Sequence, residues 1–488
     1  MALSIPRRVA VIGSANMDFF AQVACLPAPG ETVRSASFDK FFGGKGANQA
    51  VQLARLGAET LFVGCVGDDD MGRAMLSRLK SEGVDASLAR VDPLAPSGMA
   101  MVITSPGDNI IVIHGGANMA LSARDVLHAE KELARCDAIL CQLEIPQSCI
   151  AQAALIALRR GIPFFLNPAP YRPLPREILQ SCAVITPNLE EAASLLGVRV
   201  KADCALGAEP SAEKATRTAP AEAPDDGEEL GRLLAALRET LAAQGMSCRG
   251  FGDSPHPIAN DSPQTASSMD AGETENAAER SESLGQPAPD GPDPAQGKMK
   301  SKGAKGKGKG KDKGKDKDTE DNKGKDKKKR RGKAKPAGAV SYRLETTVAV
   351  LEPAAPFARP LTLINRDGKE SPELLRQAAC EEDPERIESV MAVARAMRAG
   401  DLPLVATIGS LGVLRSRGGR TLLYPPCRGN PVDPTGAGDA FSAALCRYMP
   451  LGFDAAVGLA QKTASLVIGR KGAQEAMPTA EEAEKGFF

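Results

Sequence analysis

For its first 200 residues the chain alternates short apolar runs with helix-like stretches, and that alternation leaves few folds open. RVAVIGS, ETLFVGCVG, DAILCQLE, IPFFLNP and CAVITPN read as strands. GANQAVQLARLG, DDMGRAMLSRLKSEG and SCIAQAALIALRRG lie between them with apolar residues at helical spacing. The expectation is a three-layer α/β/α, doubly wound and mostly parallel sheet with helices on both faces. Two segments break the pattern. Around Thr32–Phe42 and Gly98–His114 apolar and polar residues alternate about a Pro-Gly-Asp turn. This predicts a small antiparallel β lid over roughly residues 15–45 and 97–115.

The character changes after Val200. Residues 201–340 are rich in Ala, Pro, Gly, Ser, Glu and Lys, and large apolar residues concentrate in one patch, GEELGRLLAALRETLAAQG (Gly227–Gly245). That patch has helical spacing and reads as an isolated or a docking helix. The Lys-Gly-Asp repeat GAKGKGKGKDKGKDKD and the following KKKRRGKAK cannot bury enough apolar surface to offset ordering entropy, so this part is expected to be disordered. Residues 341–365 alternate again and suggest a strand pair. Helical pattern resumes near Pro384 with PERIESVMAVARAMRAG, and LPLVATIGSLGVLRSR reads as a strand and turn. The expected division is residues 1–200, an insertion at 201–384, and residues 385–488. The first and last parts together have the size of one ordinary domain. Closure entropy grows slowly with loop length, so such an insertion is tolerable.

Net charge is uninformative in this chain of 488 residues, because 61 basic and 61 acidic residues cancel. Their distribution matters more, with roughly a third of the basic residues in Lys298–Lys335. Such a run can bind nucleic acid, polyphosphate or anionic lipid by counterion release, and KKKRRGKAK can act as a nuclear import signal. A solvated spacer explains the composition equally well, and no aromatics are interleaved for base stacking. The 11 cysteines are scattered without a C-x-x-C pair, which argues against a disulfide framework or zinc site and for a reducing compartment. No run of about 18 apolar residues suggests a membrane span, and the start runs almost directly into a strand pattern. A cytoplasmic protein with no membrane partner is expected, with nuclear entry as an addition.

Two glycine-rich segments carry the chemistry, FFGGKGANQA (Phe41–Ala50) and NPVDPTGAGDAF (Asn430–Phe441). Gly436, Ala437 and Gly438 carry little or no side chain, so backbone N–H groups there can converge on an anion. The apolar run that follows reads as a helix, which places the turn at the positive end of its dipole. Asp439 sits where a carboxylate can take a proton from a hydroxyl. An anion hole beside a base suits phosphoryl transfer to an alcohol, a reaction governed by positioning and charge stabilisation.

Together the two segments resemble the signatures of the ribokinase (PfkB-type) family of sugar kinases. GSANMD (Gly13–Asp18), HGGAN (His114–Asn118), QLE (Gln142–Glu144), NPAP (Asn167–Pro170), TPNLEE (Thr186–Glu191), TIGSLG (Thr407–Gly412) and RKGAQ (Arg470–Gln474) extend the match in the family's order. The resemblance implies an ATP-dependent carbohydrate kinase with Asp439 as general base and Gly436, Ala437 and Gly438 as anion hole. It implies sugar contacts from Asn16, Asp18, Gly43, Gly44, Asn48 and Glu144. Lys45 falls near the phosphates or in solvent, and a surface role for Glu144 stays open. On the ATP side it implies Asn188, Glu191, Thr407, Gly409, Ser410, Gly412, Gly438 and Gln461, with Glu191 organising the waters of Mg²⁺. A monovalent cation, K⁺, would be held mainly by carbonyls at Asp433, Thr435, Val467, Arg470, Gly472 and Ala476. Pro434 departs from the threonine commoner in the family. The lid of such kinases often meets a partner's lid, which implies a homodimer. No G-x-x-x-x-G-K-[ST] occurs, so a P-loop enzyme is not expected.

Within the family GGKGANQA, HGGAN and RKGAQ point to D-ribose phosphorylated at O5. A kinase of 2-deoxyribose or a nucleoside is the alternative, and a non-catalytic sugar-binding regulator a third reading. The regulator reading expects a missing base or a broken anion hole, and neither is seen.

Overall fold

The structure, a computed structural model, describes residues 7–106, 108–200, 227–246, 359–379, 383–427 and 429–485. The Lys-rich run and most of the 201–384 stretch, including the first part of the expected strand pair, lie outside the described residues. Apolar runs become strands where predicted. The first are β1 (Arg8–Ile12), β2 (Asn16–Gln22) and β3 (Ser37–Gly43), followed by helix α1 (Lys45–Arg55). Next come β4 (Glu59–Val63), β5 (Cys65–Gly67), α2 (Asp70–Ser81), β6 (Arg90–Asp92), β7 (Gly98–Ser105) and β8 (Asp108–His114). Then follow α3 (Ala123–His128), α4 (Glu130–Leu133), β9 (Ala138–Cys141), α5 (Gln147–Arg160) and β10 (Phe164–Leu166). The sequence continues with α6 (Arg176–Ser181), β11 (Val184–Ile185), α7 (Leu189–Leu196) and α8 (Gly227–Ala243). Beyond lie β12 (Leu361–Ile364), α9 (Glu373–Ala379), α10 (Pro384–Ala399), β13 (Val405–Thr407), β14 (Val413–Arg417) and β15 (Arg420–Tyr424). The chain ends in α11 (Ala437–Tyr448), α12 (Phe453–Ile468) and α13 (Ala480–Glu484).

Five parallel strands form the central sheet in the order β11-β10-β9-β1-β4. Bridges from Ile185 to Leu404 and from Asn188 to Thr407 join it to a second, antiparallel sheet, β12-β15-β14-β13. Strand residues alternate between faces. Ala10 and Ile12 enter one core with Ile139, Leu166 and helix α5, whereas Val9 and Val11 enter another with Phe62, Leu140 and helices α1 and α11. Each fully buried Leu, Ile or Val side chain contributes about 1.5–3 kcal/mol relative to exposure. Local signals agree with these packed faces. Ser122 and Asp125 close a capping box on α3, Asp69 caps α2, and α5 ends at Gly161 in the left-handed conformation.

The lid is a four-stranded sheet, β3-β2-β7-β8. Its outer pairs are antiparallel, as expected, but β2 and β7 pair in parallel. The reason is connectivity, since a long crossover through α1, β4 and α2 separates them and no hairpin turn can join them. Inside the expected insertion, the helical patch forms α8 and docks. Leu237 and Leu241 are fully buried, and α8 packs on α5 and α6. Strand β12 pairs with β15, so residues 361–364 complete the second sheet.

Candidate active site

The strand order reverses at β1, whose two neighbours are β4 on one side and β9 on the other. Beyond the carboxyl ends of such strands a crevice opens, and the motif residues gather there. Asn16 follows β1, Glu144 follows β9, Asn167 follows β10, Thr186 and Asn188 follow β11, and Thr407 ends β13. A cleft of about 440 Å³ opens at the ends of β10, β11 and β13, lined by Lys45, Asn188, Glu191, Thr407, Gly409, Gly436, Gly438 and Asp439 among others, whereas Asn16, Asp18, Gly43, Gly44, Asn48 and Glu144 lie outside its lining.

Asp439 lies in the first turn of α11 and is buried. Its Oδ2 accepts from Asn48 Nδ2 at 2.9 Å and its Oδ1 from Gln49 Nε2 at 3.0 Å. Burial raises its pKa above the usual aspartate value, opposed by Lys45 and by these two amides. The turn before it requires Gly436, which sits at φ 79° as the N-cap of α11. The first N–H groups of a helix have no intrahelical acceptor, and Gly436 and Gly438 line the cleft. Ala437 is placed differently. Its N–H donates to the Pro434 carbonyl, and its methyl packs with Val467, Ala476 and Met477.

The residues expected to contact a sugar gather around the N-terminus of α1. Gly44 caps that helix, and Glu144 accepts from the Lys45 N–H at 3.0 Å and from the Ser14 hydroxyl. An anion is stabilised at a helix N-terminus, so Glu144 is an anchored carboxylate and not a surface one. The Lys45 ammonium is pulled down by burial but held above the usual lysine value by Asp439, Glu144, Glu191 and Asp18. Asp18 faces the same cluster. Burial first, then Glu144, Asp439 and Glu475, push its carboxyl up to about 7. A Cβ on Gly43 would lie 2.0 Å from Asp18 Oδ2, so only glycine lets this carboxylate sit there. Asp18 Oδ1 and Asn48 Oδ1 are buried acceptors with no hydrogen-bond partner. Asn16 Oδ1 is held by Asn118 Nδ2 at 2.7 Å.

Of the residues expected on the nucleotide side, four besides Gly438 reach the cleft: Asn188, Glu191, Thr407 and Gly409. Asn188 and Glu191 also form the capping box of α7, Asn188 Oδ1 accepting from Glu191 N and Glu191 Oε2 from Asn188 N. Ser410, Gly412 and Gln461 do not line it. Ser410 is exposed, Gly412 backs onto the Tyr424 carbonyl, and Gln461 donates to the carbonyls of Tyr424 and Pro425.

The positions expected to hold a monovalent cation come together. Asp433 Oδ1 accepts from Thr435 N and its Oδ2 from Gly472 N, both at 2.9 Å. Burial alone would raise the Asp433 pKa, but these bonds hold it below the usual value. The Arg470 N–H donates to the Val467 carbonyl, and Arg470 Nη1 reaches the Ala476 carbonyl at 3.4 Å. Among the described residues no cluster of three or more His, Cys, Asp or Glu could hold a metal ion. A carbonyl-rich loop suits a hard monovalent cation better than a zinc-like ion.

Several site residues carried no sequence-level assignment. Gln49 bridges Asp439 and Asn167 and accepts from Gln142. Asn118 pins the Ala15–Asn16 backbone. Both lie inside recognised motifs, and the available signal was a run of polar residues, Asn48, Gln49 and Gln52, on the buried side of an otherwise apolar helix. Arg386 lines the cleft from outside any motif.

A ribokinase of Haemophilus influenzae is 40% identical over 195 residues, covering 40% of this chain and 64% of that protein. A ribokinase of Bacillus subtilis is 41% identical over 189 residues, covering 39% and 64%. The chain thus spans just under two thirds of the length of these relatives. A solved Arabidopsis thaliana ribokinase complexed with ribose and ATP superposes with a TM-score of 0.54 at 20% identity, over 99% of this chain and 98% of that one, which shows the shared fold. The pfkB family carbohydrate kinase profile matches residues 6–218 and 373–480, on both sides of the Lys-rich stretch. With its motifs gathered at the crevice and most of its length matched, the chain belongs to the pfkB family of carbohydrate kinases.

Proposed function

We propose that this protein transfers the γ-phosphoryl group of ATP to O5 of D-ribose. The observation that carries the reading is the placement of Asp439. A buried carboxylate of raised pKa is held by Asn48 and Gln49 beside a glycine turn at a helix N-terminus. Asp439 takes the O5 proton as the bond from O5 to the γ-phosphorus forms and the bond to the β-bridging oxygen breaks. ADP leaves with that electron pair, and the proton passes to solvent. N–H groups of Gly436 and Gly438, with Lys45, stabilise charge on the moving group. The orphaned acceptors Asp18 Oδ1 and Asn48 Oδ1 suit the hydroxyls of a polyol, which would supply the missing donors.

Glu191, and Glu190 beside it on the cleft wall, fit a hydrated Mg²⁺ accompanying the triphosphate. Asp433 and the backbone at Thr435, Val467, Arg470, Gly472 and Ala476 would hold K⁺, which would supply positive charge in support of the anion hole. The exposed lid residues Ile111 and Ile113, on one face of the lid, suit a homodimer through it.

The test is ATP-dependent phosphorylation across D-ribose, 2-deoxyribose, fructose and adenosine, with and without potassium. Turnover on ribose supports the proposal. Preference for another acceptor keeps the mechanism and changes the substrate. A folded, ATP-binding protein with no turnover on any of them refutes it.

A further inference from the structure

Arg386 stands in the cleft without a part in the chemistry described so far. It belongs to the first turn of α10, half-buried, with its Nε enclosed, while Ile387, Val390 and Met391 of the same helix pack into the core. Its guanidinium reaches Gly409, where a Cβ would come within 3.3 Å of Nη2. Gly409 and Thr407 lie on the same stretch of wall, and Thr407 is bridged to Asn188.

The charge balance of the wall gives this position meaning. Two cations, Lys45 and Arg386, line the cleft with three acids, Glu190, Glu191 and Asp439. Lys45 is surrounded by Asp439, Glu144, Glu191 and Asp18, so much of its charge is already offset. Arg386 is the lining cation beside the Gly409 turn. Its helix begins with the acids Asp383 and Glu385, and Arg386 is the first-turn residue that lines the cleft.

We infer that Arg386 is a nucleotide-binding residue that grips the α- and β-phosphates, the part of the triphosphate that ADP retains. This rests on the proposed use of the cleft for ATP. The planar fork of a guanidinium suits two phosphate oxygens at once, and Gly409 leaves room for them at its side. Arg386 is then a specificity element for nucleoside di- and triphosphates over nucleosides, set on a helix outside the recognised motifs.

Calorimetric titration of the full chain with ADP and with adenosine, for wild type, Arg386→Ala and Arg386→Lys, tests this. The expected result for Arg386→Ala is ADP affinity weakened about 10-fold or more, the size of a lost charge-assisted contact, with adenosine affinity within about twofold. Arg386→Lys should recover part of the loss, and the KM for ATP should rise while the KM for the sugar holds. ADP binding unchanged in Arg386→Ala overturns the inference. Equal weakening of ADP and adenosine also overturns it, because that is the signature of a base contact or of a damaged helix. Should Arg386→Ala lose its melting transition, Arg386→Gln replaces it with the same two criteria. Wild type that binds no ADP overturns the ATP reading of the cleft itself, and Arg386 with it.

Discussion

Asp439 is fixed by two side-chain amides and is not free to rotate in the cleft. Asn48 and Gln49 each hold one of its oxygens, so the carboxylate presents a set direction. Asp439→Asn keeps the volume and removes the carboxylate proposed as the base. Turnover should fall by about 10²-fold or more with nucleotide affinity nearly unchanged, measured by steady-state kinetics beside ADP titration. Asp18 illustrates the cost of building such a site. Its folded-state pKa of about 7 lies above the usual 3.8, mainly through burial and then through neighbouring carboxylates. Between those values the folded chain keeps a proton that the unfolded chain releases. Stability attributable to Asp18 therefore falls as pH rises through this window, and the cost is complete above about 7. Asp18→Asn should raise the melting temperature at pH 8 by about 2 °C or more and change it little near pH 4. Calorimetry of the sugar-free protein at both pH values decides it, and an equal shift at both would sink the electrostatic explanation. Sugar affinity should drop in the same variant.

Among the elements, α8 best separates pattern from placement. Its helical spacing was legible, because leucines recur on one side of Gly227–Ala243. Its docking site was not, since periodicity identifies an apolar stripe but not what covers it. The structure seats the stripe on α5 and α6, with Leu237 and Leu241 fully buried. At the edge of this contact Arg238 pairs with Glu177, the arginine side chain 65% exposed and the glutamate 13%. Leu237→Ala with Leu241→Ala should cost the docked helix about 2–5 kcal/mol per site. Hydrogen exchange should show residues 227–246 losing protection while β1 and β9 keep theirs. Turnover should be largely unchanged, because α8 lines no part of the cleft. The lid shows the same division. Its strands were readable from alternation, but the parallel pairing of β2 with β7 depends on connectivity through α1, β4 and α2.

For the whole molecule, the exposed lid is the feature that points beyond one chain. The strand register puts Ile111 and Ile113 on the lid face that carries Asp18 and Phe41. Both are more than half exposed, at 55% and 53%, which is unusual for isoleucines in an edge strand. If a second copy covers them, Ile111→Asp with Ile113→Asp should yield a monomer at micromolar concentrations in sedimentation velocity. A wild-type monomer under the same conditions would exclude the lid dimer.

The sequence by itself determined the order of strands and helices and the glycine turn that precedes Asp439. Those depend on local periodicity and on glycines whose spacing permits few backbone shapes, as at Gly43–Gly44 and Gly436–Gly438. Tertiary structure decided which residues meet. Asp439 lies 390 positions from Gln49 and 391 from Asn48, and only the packing of α1 on α11 brings their side chains within 3.0 Å. The same packing leaves Ser410, Gly412 and Gln461 outside the cleft and admits Arg386. A motif constrains its own backbone, whereas the sides of a cleft are set by how separate elements pack across the sheet.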